Sequence, residues 1–127
     1  MNQMLDLHRE AMRLVDQAER LRREGNLQAS QECLQQAFDR ERQAALHSAD
    51  DTCNEPTRSI LHRSAASLAL ECGNYREAER LIAVALAGTP PDDIAEELRD
   101  LLEQVYFDRP ATGNRRALTG SIVPSGS

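Results

Sequence analysis

Apolar residues recur three and four positions apart through most of the first 108 residues, which is the spacing of one face of an α-helix. Four short segments, rich in polar residues, Gly or Pro, interrupt this spacing. The pattern therefore predicts five helices, over about residues 2–24, 27–48, 55–72, 75–87 and 92–108. It predicts no β-sheet, and the expected fold class is all-α.

Each of the four interrupting segments contains residues that end a helix. Gly25-Asn26 and Gly73-Asn74 place a glycine directly after an apolar stretch, as at many helix C-termini. Residues 50–54 are polar, and the Gly-Thr-Pro-Pro sequence at 88–91 holds the strongest helix breakers. The pattern thus indicates one helical domain, residues 1–108, and a tail, residues 109–127, which we expect to be flexible.

Each helix has an apolar face that we expect to meet the others in a shared core. That core has to be mainly aliphatic, because the chain holds two Phe, two Tyr and no Trp. Leu5, Met12 and Val15 widen the first face on one side. In chain order, the residues expected to be buried are Met4, Leu7, Ala11, Leu14, Ala18, Leu21, Leu27, Leu34, Ala37, Phe38, Ala44, Ala45, Leu61, Ala65, Leu68, Ala69, Cys72, Ala78, Leu81, Ile82, Ala85, Leu86, Ile94, Leu98, Leu101, Leu102, Val105 and Tyr106.

The two Gly-Asn breaks belong to an internal repeat. Aligning Gly25 with Gly73, an offset of 48 residues, superposes two helix–Gly-Asn–helix units. Both units then have a large, a small, a large and an Ala residue at equivalent positions. These residues are Leu27, Ser30, Leu34 and Ala37 in the first unit and Tyr75, Ala78, Ile82 and Ala85 in the second.

This pattern resembles the tetratricopeptide repeat, a family of stacked helical hairpins. In the second copy Ala66, Gly73, Tyr75, Ala78, Ile82, Ala85 and Pro90 match the family's small, Gly, aromatic, Ala, bulky, Ala and Pro positions. The first copy matches at Ala18, Gly25, Leu27, Leu34 and Ala37, but has Ser30 in place of Ala and no final Pro. Residues 64–82 also resemble short bacterial proteins. The resemblance, over most of residues 11–107, implies two antiparallel hairpins followed by a capping helix.

The chain departs from that family in two respects. Its offset of 48 residues exceeds the family's period of ~34 residues. We therefore expect either a long second helix or an extended connection over residues 49–55. In addition, two repeats are fewer than the roughly three that a stable stack usually needs. Either the fifth helix closes the stack within the chain, or a second copy of the protein does.

In the family, the first helix of each hairpin lines a concave groove that binds a partner. By register, the resemblance implies eight groove residues in the first and third helices. A known mode of the family clamps a C-terminal carboxylate with Lys and Asn, but Val15, Glu19 and Ser64 stand at those positions and do not form that clamp. Arg63 either pairs with an acidic partner or is an exposed arginine on a solvated face. The eight candidates are Met12, Val15, Glu19, Arg22, Ile60, Arg63, Ser67 and Leu70.

The charge balance excludes several classes of partner. The net charge of −6 argues against a nucleic-acid module, which has to neutralise phosphates. Residues 1–107 carry −8 and the last twenty residues +2.

No stretch approaches ~18 uninterrupted apolar residues, so we expect no membrane span. Residues 1–10 lack the apolar core of a secretory signal, and we therefore expect a cytoplasmic protein with neither nucleic-acid nor membrane partners.

The sequence contains no recognisable catalytic or metal-binding pattern. Cys33, Cys53 and Cys72 are too widely spaced for a disulfide framework or a zinc site, and His8, His47 and His62 share no ligand spacing with them. No glycine-rich phosphate loop, Gly-x-Ser-x-Gly or His-Glu-x-x-His motif is present. We therefore expect no enzymatic activity, no cofactor and no bound metal.

Two functions remain open. The first, by analogy with the family, is an adaptor that binds a peptide or helix of another protein in the groove. The second is a self-association module, in which a homodimer completes the two-repeat stack. The apolar excess on the first helix favours self-association, whereas a fifth helix that caps the stack favours the adaptor. The tail is also a candidate recognition element, because it carries Leu118, Ile122 and Val123.

Overall fold

The structure, a computed structural model, describes residues 2–51 and 53–109. These residues form five α-helices: α1 Gln3–Arg23, α2 Leu27–Ser48, α3 Thr57–Glu71, α4 Tyr75–Leu86 and α5 Asp92–Asp108. The all-α prediction is confirmed, since the described ranges contain no strand. Each predicted break lies between two helices. The tail that we expected to be flexible lies, from residue 110 onward, outside the described residues.

The two Gly-Asn turns have the same hydrogen-bond geometry. Gly25 and Gly73 have φ of 83° and 75°, a region that a residue with a Cβ adopts only with strain. The Gly25 N–H donates to the Arg22 carbonyl and the Asn26 N–H to the Leu21 carbonyl, at 3.0 and 2.9 Å. The same two bonds recur at Gly73 and Asn74. This arrangement satisfies the last carbonyls of α1 and α3 and turns the chain directly into α2 and α4.

Helix α3 begins two residues later than the apolar pattern predicted. Pro56 occupies the position before the helix rather than its first turn. The Glu55 carboxylate accepts hydrogen bonds from the Ser59 N–H at 3.1 Å and from the Ser59 hydroxyl at 2.9 Å. Because proline disfavours a helical conformation in the residue before it, Glu55 contributes its side chain to the helix start instead of its backbone.

The helices form a linear array. Helix α1 packs on α2 and α3 on α4, α2 joins the two hairpins through α3, and α5 packs against both α3 and α4. The large repeat offset has two causes in the structure. Helix α2 has 22 residues, whereas α4 has 12. The connection between α2 and α3, residues 49–56, adds further length.

Alanine dominates the contacts between helices. The fully buried alanines allow neighbouring helix axes to approach closely, and Ile82, Leu98 and Val105 fill the remaining space. Eight residues predicted to be buried are only half-buried, namely Met4, Leu7, Leu21, Leu34, Cys72, Leu86, Leu101 and Leu102. Two more are exposed. Leu27, in the first turn of α2 beside the exposed Gly-Asn turn, is 66% exposed, and Tyr106, near the end of α5, is 56% exposed. The fully buried alanines are Ala11, Ala37, Ala44, Ala45, Ala65, Ala66, Ala69, Ala78 and Ala85.

A buried arginine ties three helices together. Arg58, in the first turn of α3, is 4% exposed. Its Nε donates to the Ala49 carbonyl at 2.8 Å and its Nη2 to the Val84 carbonyl at 3.1 Å. These carbonyls lie at the C-terminal ends of α2 and α4, where helix dipoles favour a positive charge. The Glu55 carboxylate lies 3.8 Å from Nη1. The guanidinium thereby holds the ends of α2 and α4 beside the start of α3.

A second buried polar contact joins α1 to α2. The Glu41 side chain is fully buried, and its two carboxylate oxygens lie 3.0 and 2.9 Å from Nδ1 of His8, which is 31% exposed. Residues 8 and 41 are 33 positions apart. The contact lies in the part of α2 that extends beyond the length of α4, so the extra length of α2 packs against α1 rather than projecting into solvent.

Candidate partner-binding groove

Helices α1, α3 and α5 enclose an open groove of about 540 Å³. Half of its lining side chains are apolar and half are polar or charged. The apolar residues come from all three helices, so neither hairpin alone forms the groove. The lining residues are Met12 and Val15 of α1, Arg63, Ser64, Ser67 and Leu68 of α3, and Glu97 and Leu101 of α5.

Helical spacing places these side chains on facing surfaces. On α3, Ser64 and Leu68 are four residues apart, as are Arg63 and Ser67, so the four residues share one face of the helix. On α5, Glu97 and Leu101 are again four apart. Leu68 is buried, whereas Met12, Val15 and Leu101 are half-buried and keep part of their surface in the groove. The result is an aliphatic floor beneath a polar rim.

An ion pair crosses the rim of the groove. Arg63 of α3 contacts the carboxylate of Glu97 of α5, and their side chains are 33% and 55% exposed. The sequence left open whether Arg63 binds an acidic partner or faces solvent. In the structure its charge is satisfied by this chain. Because an exposed pair contributes only about 0–1 kcal/mol, an incoming carboxylate or cation would break it at little cost.

Four of the eight predicted groove residues meet in this groove: Met12, Val15, Arg63 and Ser67. Glu19 and Arg22 are instead exposed on α1, where Arg22 donates to Glu19 at 2.8 Å. Ile60 lies three residues before Arg63 and Leu70 two residues after Leu68, beyond either end of the groove lining on α3, and both pack against the core. These four residues are outside the groove.

Nothing in the apolar pattern placed α5 in the groove. We expected it to cap the array, and it does pack on α3 and α4. Its position next to α3 also brings Glu97 and Leu101 to the same surface as Ser64 and Leu68. The available signal was the four-residue spacing of Glu97 and Leu101, but nothing in that spacing identifies α3 as the neighbour.

A separate polar cluster fixes the C-terminal end of α5 on α4. The Tyr106 hydroxyl and the Arg109 guanidinium both donate to the Glu79 carboxylate, at 2.5 and 2.7 Å. These donors lower the pKa of Glu79, the Tyr106 bond contributing most, and the same carboxylate raises the pKa of Tyr106. Arg109 also lies 5.8 Å from the centre of the Tyr106 ring. The cluster anchors α5, which forms one wall of the groove.

Within residues 2–51 and 53–109, no group of three or more His, Cys, Asp or Glu side chains is arranged to hold a metal ion. None of the five helices is both long and apolar enough to cross a membrane. Cys33, Cys53 and Cys72 are free thiols, of which Cys33 is buried and Cys53 exposed. Burial, and to a lesser extent the Glu71 carboxylate, raises the pKa of Cys72.

Comparison with protein-family models, with curated proteins and with solved structures finds no match for this chain. The relation to tetratricopeptide proteins therefore remains a resemblance in sequence pattern.

Proposed function

We propose that this chain is a non-enzymatic adaptor that binds a peptide or an amphipathic helix of another protein in the groove between α1, α3 and α5. The observation that supports the proposal is the groove itself, with its aliphatic floor of Met12, Val15, Leu68 and Leu101. Apolar grooves between helices commonly take the apolar face of a partner segment, while the polar rim sets its orientation. The resemblance to the tetratricopeptide family and the expected cytoplasmic location agree with this function.

The chemistry of the groove also favours binding over catalysis. Its charged side chains are Arg63 and Glu97, which neutralise each other. A partner with two or three apolar anchors fits the floor. A carboxylate on that partner would replace Glu97 as the ion-pair partner of Arg63. A cationic group would instead replace Arg63 as the partner of Glu97. The fitting ligand is therefore an apolar segment that carries one charge beside its anchors.

The proposal is tested by selecting binders from a random peptide library with the whole chain and measuring their affinity for two variants. Val15→Arg places a charge on the groove floor and should abolish binding. Leu46→Arg makes the same kind of change on the exposed surface of α2, where Leu46 is 55% exposed, and should leave binding intact. Circular dichroism of both variants checks that they are folded. Peptides that bind both variants as tightly as the original protein would contradict a groove-bound ligand.

The alternative function, self-association as a homodimer, is favoured by one feature of α5. Phe107 is 89% exposed and its neighbour Tyr106 56%, so two of the chain's four aromatic side chains lie on the surface. Exposed neighbouring aromatics are typical of protein interfaces. Sedimentation equilibrium of the original chain and of Phe107→Ser separates the two functions. A dimer that the substitution converts to a monomer supports self-association, and a monomer in both cases supports the adaptor.

A further inference from the structure

The helix that forms one wall of the groove leads directly into residues 110–127. Helix α5 ends at Asp108, and Arg109 has an extended backbone with φ −63° and ψ 126°. Pro110 follows and cannot continue the helix. The eighteen residues after Arg109 are therefore tethered to the groove at a fixed point. We propose that residues 117–123 of this chain occupy the groove, so that the tail competes in cis with any partner.

The composition of this segment matches the groove. Leu118, Ile122 and Val123 are its large aliphatic residues, and a Thr-Gly-Ser sequence separates Leu118 from the adjacent Ile122 and Val123. Such a segment has apolar anchors for the floor formed by Met12, Val15, Leu68 and Leu101. It has no aromatic side chain.

The charges of the tail and of α5 are complementary. Residues 110–127 contain Arg115 and Arg116 and no acidic side chain. Helix α5 carries seven carboxylates and one arginine over seventeen residues. Glu97, on the groove rim, is among those carboxylates and is 55% exposed. A cationic segment placed along α5 is therefore attracted to it, and an arginine of the tail can take Glu97 from Arg63.

The chain is long enough to reach the groove. Leu101 and Glu97 precede Arg109 by 8 and 12 residues, which corresponds to roughly 12 and 18 Å along a helix. The nine residues from Pro110 to Leu118 span up to about 30 Å when extended. The tail can therefore fold back along α5 without strain. Tethering gives it an effective concentration on the order of millimolar, so that even weak contacts suffice for occupancy.

A second surface beside Arg109 has the wrong charge. On the outer side of α4, a shallow depression is lined by Arg76, Glu79, Arg80, Ala83 and Arg109. The carboxylate of Glu79 is already bonded to Tyr106 and Arg109. Arg76 and Arg80 would repel the two arginines of the tail. Charge therefore directs the tail away from the α4 surface and toward the α5 wall of the groove.

This inference uses the groove of the proposed function, but it does not depend on a partner being found. It is tested on the whole chain with ¹³C-labelled methionine methyl groups. Met12 lies in the groove, whereas Met4 lies two turns earlier on α1 and serves as the internal reference. Replacing all three anchors, by Leu118→Ser, Ile122→Ser and Val123→Ser, should shift the Met12 methyl resonance and leave that of Met4 in place.

Trypsin supplies a second readout. Cleavage after Arg115 and Arg116, followed by mass spectrometry, should be several-fold faster in the triple variant, because a docked segment is protected. The matched control, Ser121→Ala with Ser125→Ala, leaves the anchors intact and should behave like the original protein. Both readouts should be unchanged on tenfold dilution, as expected for an intramolecular contact.

The outcomes separate this inference from the proposed function. If the triple variant and the original chain share one Met12 resonance and one cleavage rate, the tail does not occupy the groove, and the inference is wrong while the adaptor function is untouched. If the Met12 resonance changes with dilution, the tail docks on a second copy, and occupancy in cis is overturned. If the tail is docked and no library peptide binds even to the triple variant, whose tail has lost its anchors, the adaptor function fails and the inference stands.

Discussion

Arg58 and Gly88 fit together because residue 88 has no side chain. A Cβ at that position would lie 3.1 Å from Cζ of Arg58 and closer still to its Nη1. Arg58 has little freedom to move away, since its Nε and Nη2 are held by the carbonyls of Ala49 and Val84. The breaker segment between α4 and α5 thus begins with a glycine that makes room for a buried guanidinium from α3.

We expect Gly88→Ala to destabilise the protein by about 1–3 kcal/mol, as overpacking of a filled site does. The direction of this change distinguishes a clash with Arg58 from the usual effect of the substitution. Gly88 does not have a positive φ, and an alanine at such a position ordinarily stabilises a protein by roughly 0.4–1 kcal/mol. Urea unfolding measures the change. In the Arg58→Met background the clash is gone, so the same substitution should become neutral or stabilising. Destabilisation of equal size in both backgrounds would show that Arg58 is not the cause.

Removing the guanidinium should itself be costly. Arg58→Met leaves the carbonyls of Ala49 and Val84 without their donor, and bonds from a charged donor contribute about 1.5–3 kcal/mol each before the desolvation of the charge is subtracted. We expect a net loss of about 2–3 kcal/mol in the free energy of unfolding. Arg80→Met is the comparison, since Arg80 is 62% exposed and pairs with Glu77 on the surface of α4. That variant should lose about 0–1 kcal/mol. Equal losses would mean that Arg58 is not a tie between helices.

The His8–Glu41 contact makes a different prediction, because one of its partners is fully buried. His8→Ala leaves the Glu41 carboxyl group without its imidazole and should cost about 1–3 kcal/mol. Replacing both residues, by His8→Phe with Glu41→Met, removes the need for a partner and should recover most of that loss. Arg9→Ala, one residue further along α1 in an exposed pair with Asp6, should stay within about 0.5 kcal/mol of the original. A double variant less stable than His8→Ala would refute this account.

His62 should make the stability depend on pH. The side chain is 1% exposed, and burial, the largest cause, lowers its pKa from the usual 6.5. Its Nδ1 lies 2.7 Å from the Arg58 carbonyl and donates to it in the neutral ring. Below pH 6.5 the His62 side chain is protonated in the unfolded chain but stays neutral to lower pH in the folded protein. The stability from this residue is therefore present above that pH and falls as the pH decreases below it.

Chemical unfolding at pH 7.5 and 5.5 checks this expectation. The original protein should lose more stability between the two conditions than His62→Gln, which has no titrating group at that position. His47→Gln, on the exposed side of α2, should follow the original protein. The carboxylates and His8 are present in all three proteins, so the difference isolates His62. The account fails if His62→Gln retains the full pH dependence.

The helices and their breaks could be predicted because their causes are local. Apolar spacing and the Gly-Asn and Gly-Thr-Pro-Pro breaks act within a few residues of where they stand. The repeated Gly25 and Gly73 turns have the same geometry because the same two-residue sequence follows an equivalent helix end. Leu27 illustrates the limit. Leu27 occupies the same position in the first repeat as Tyr75 in the second, yet Leu27 is exposed whereas Tyr75 packs against the core.

The buried polar residues and half of the groove could not be predicted from the sequence. Glu41 and Arg58 belong to residue types that are rarely buried, and their partners His8 and Val84 lie 33 and 26 positions away. Likewise, Glu97 and Leu101 enter the groove only because α5 packs beside α3. Register along a single helix identified Met12, Val15, Arg63 and Ser67. The same register also assigned Glu19 and Leu70 to the groove lining, because the sequence of one helix contains no information on where a neighbouring helix crosses it.

The small residues between the helices of the second hairpin should not tolerate a larger side chain. Ala66 of α3 and Ala78 of α4 are fully buried, and the resemblance implies that they allow the two helices to approach closely. Ala78→Leu adds three carbon atoms where the core has no room, and we expect a loss of about 1–3 kcal/mol, with the same range for Ala66→Leu. Ala83→Leu is the matched control, because Ala83 is exposed on the same helix and lines an open depression of the surface. It should change stability by no more than about 0.5 kcal/mol. Thermal unfolding of the three variants decides the matter, and a melting temperature for Ala78→Leu equal to that of Ala83→Leu would show that the α3–α4 contact does not depend on a small residue.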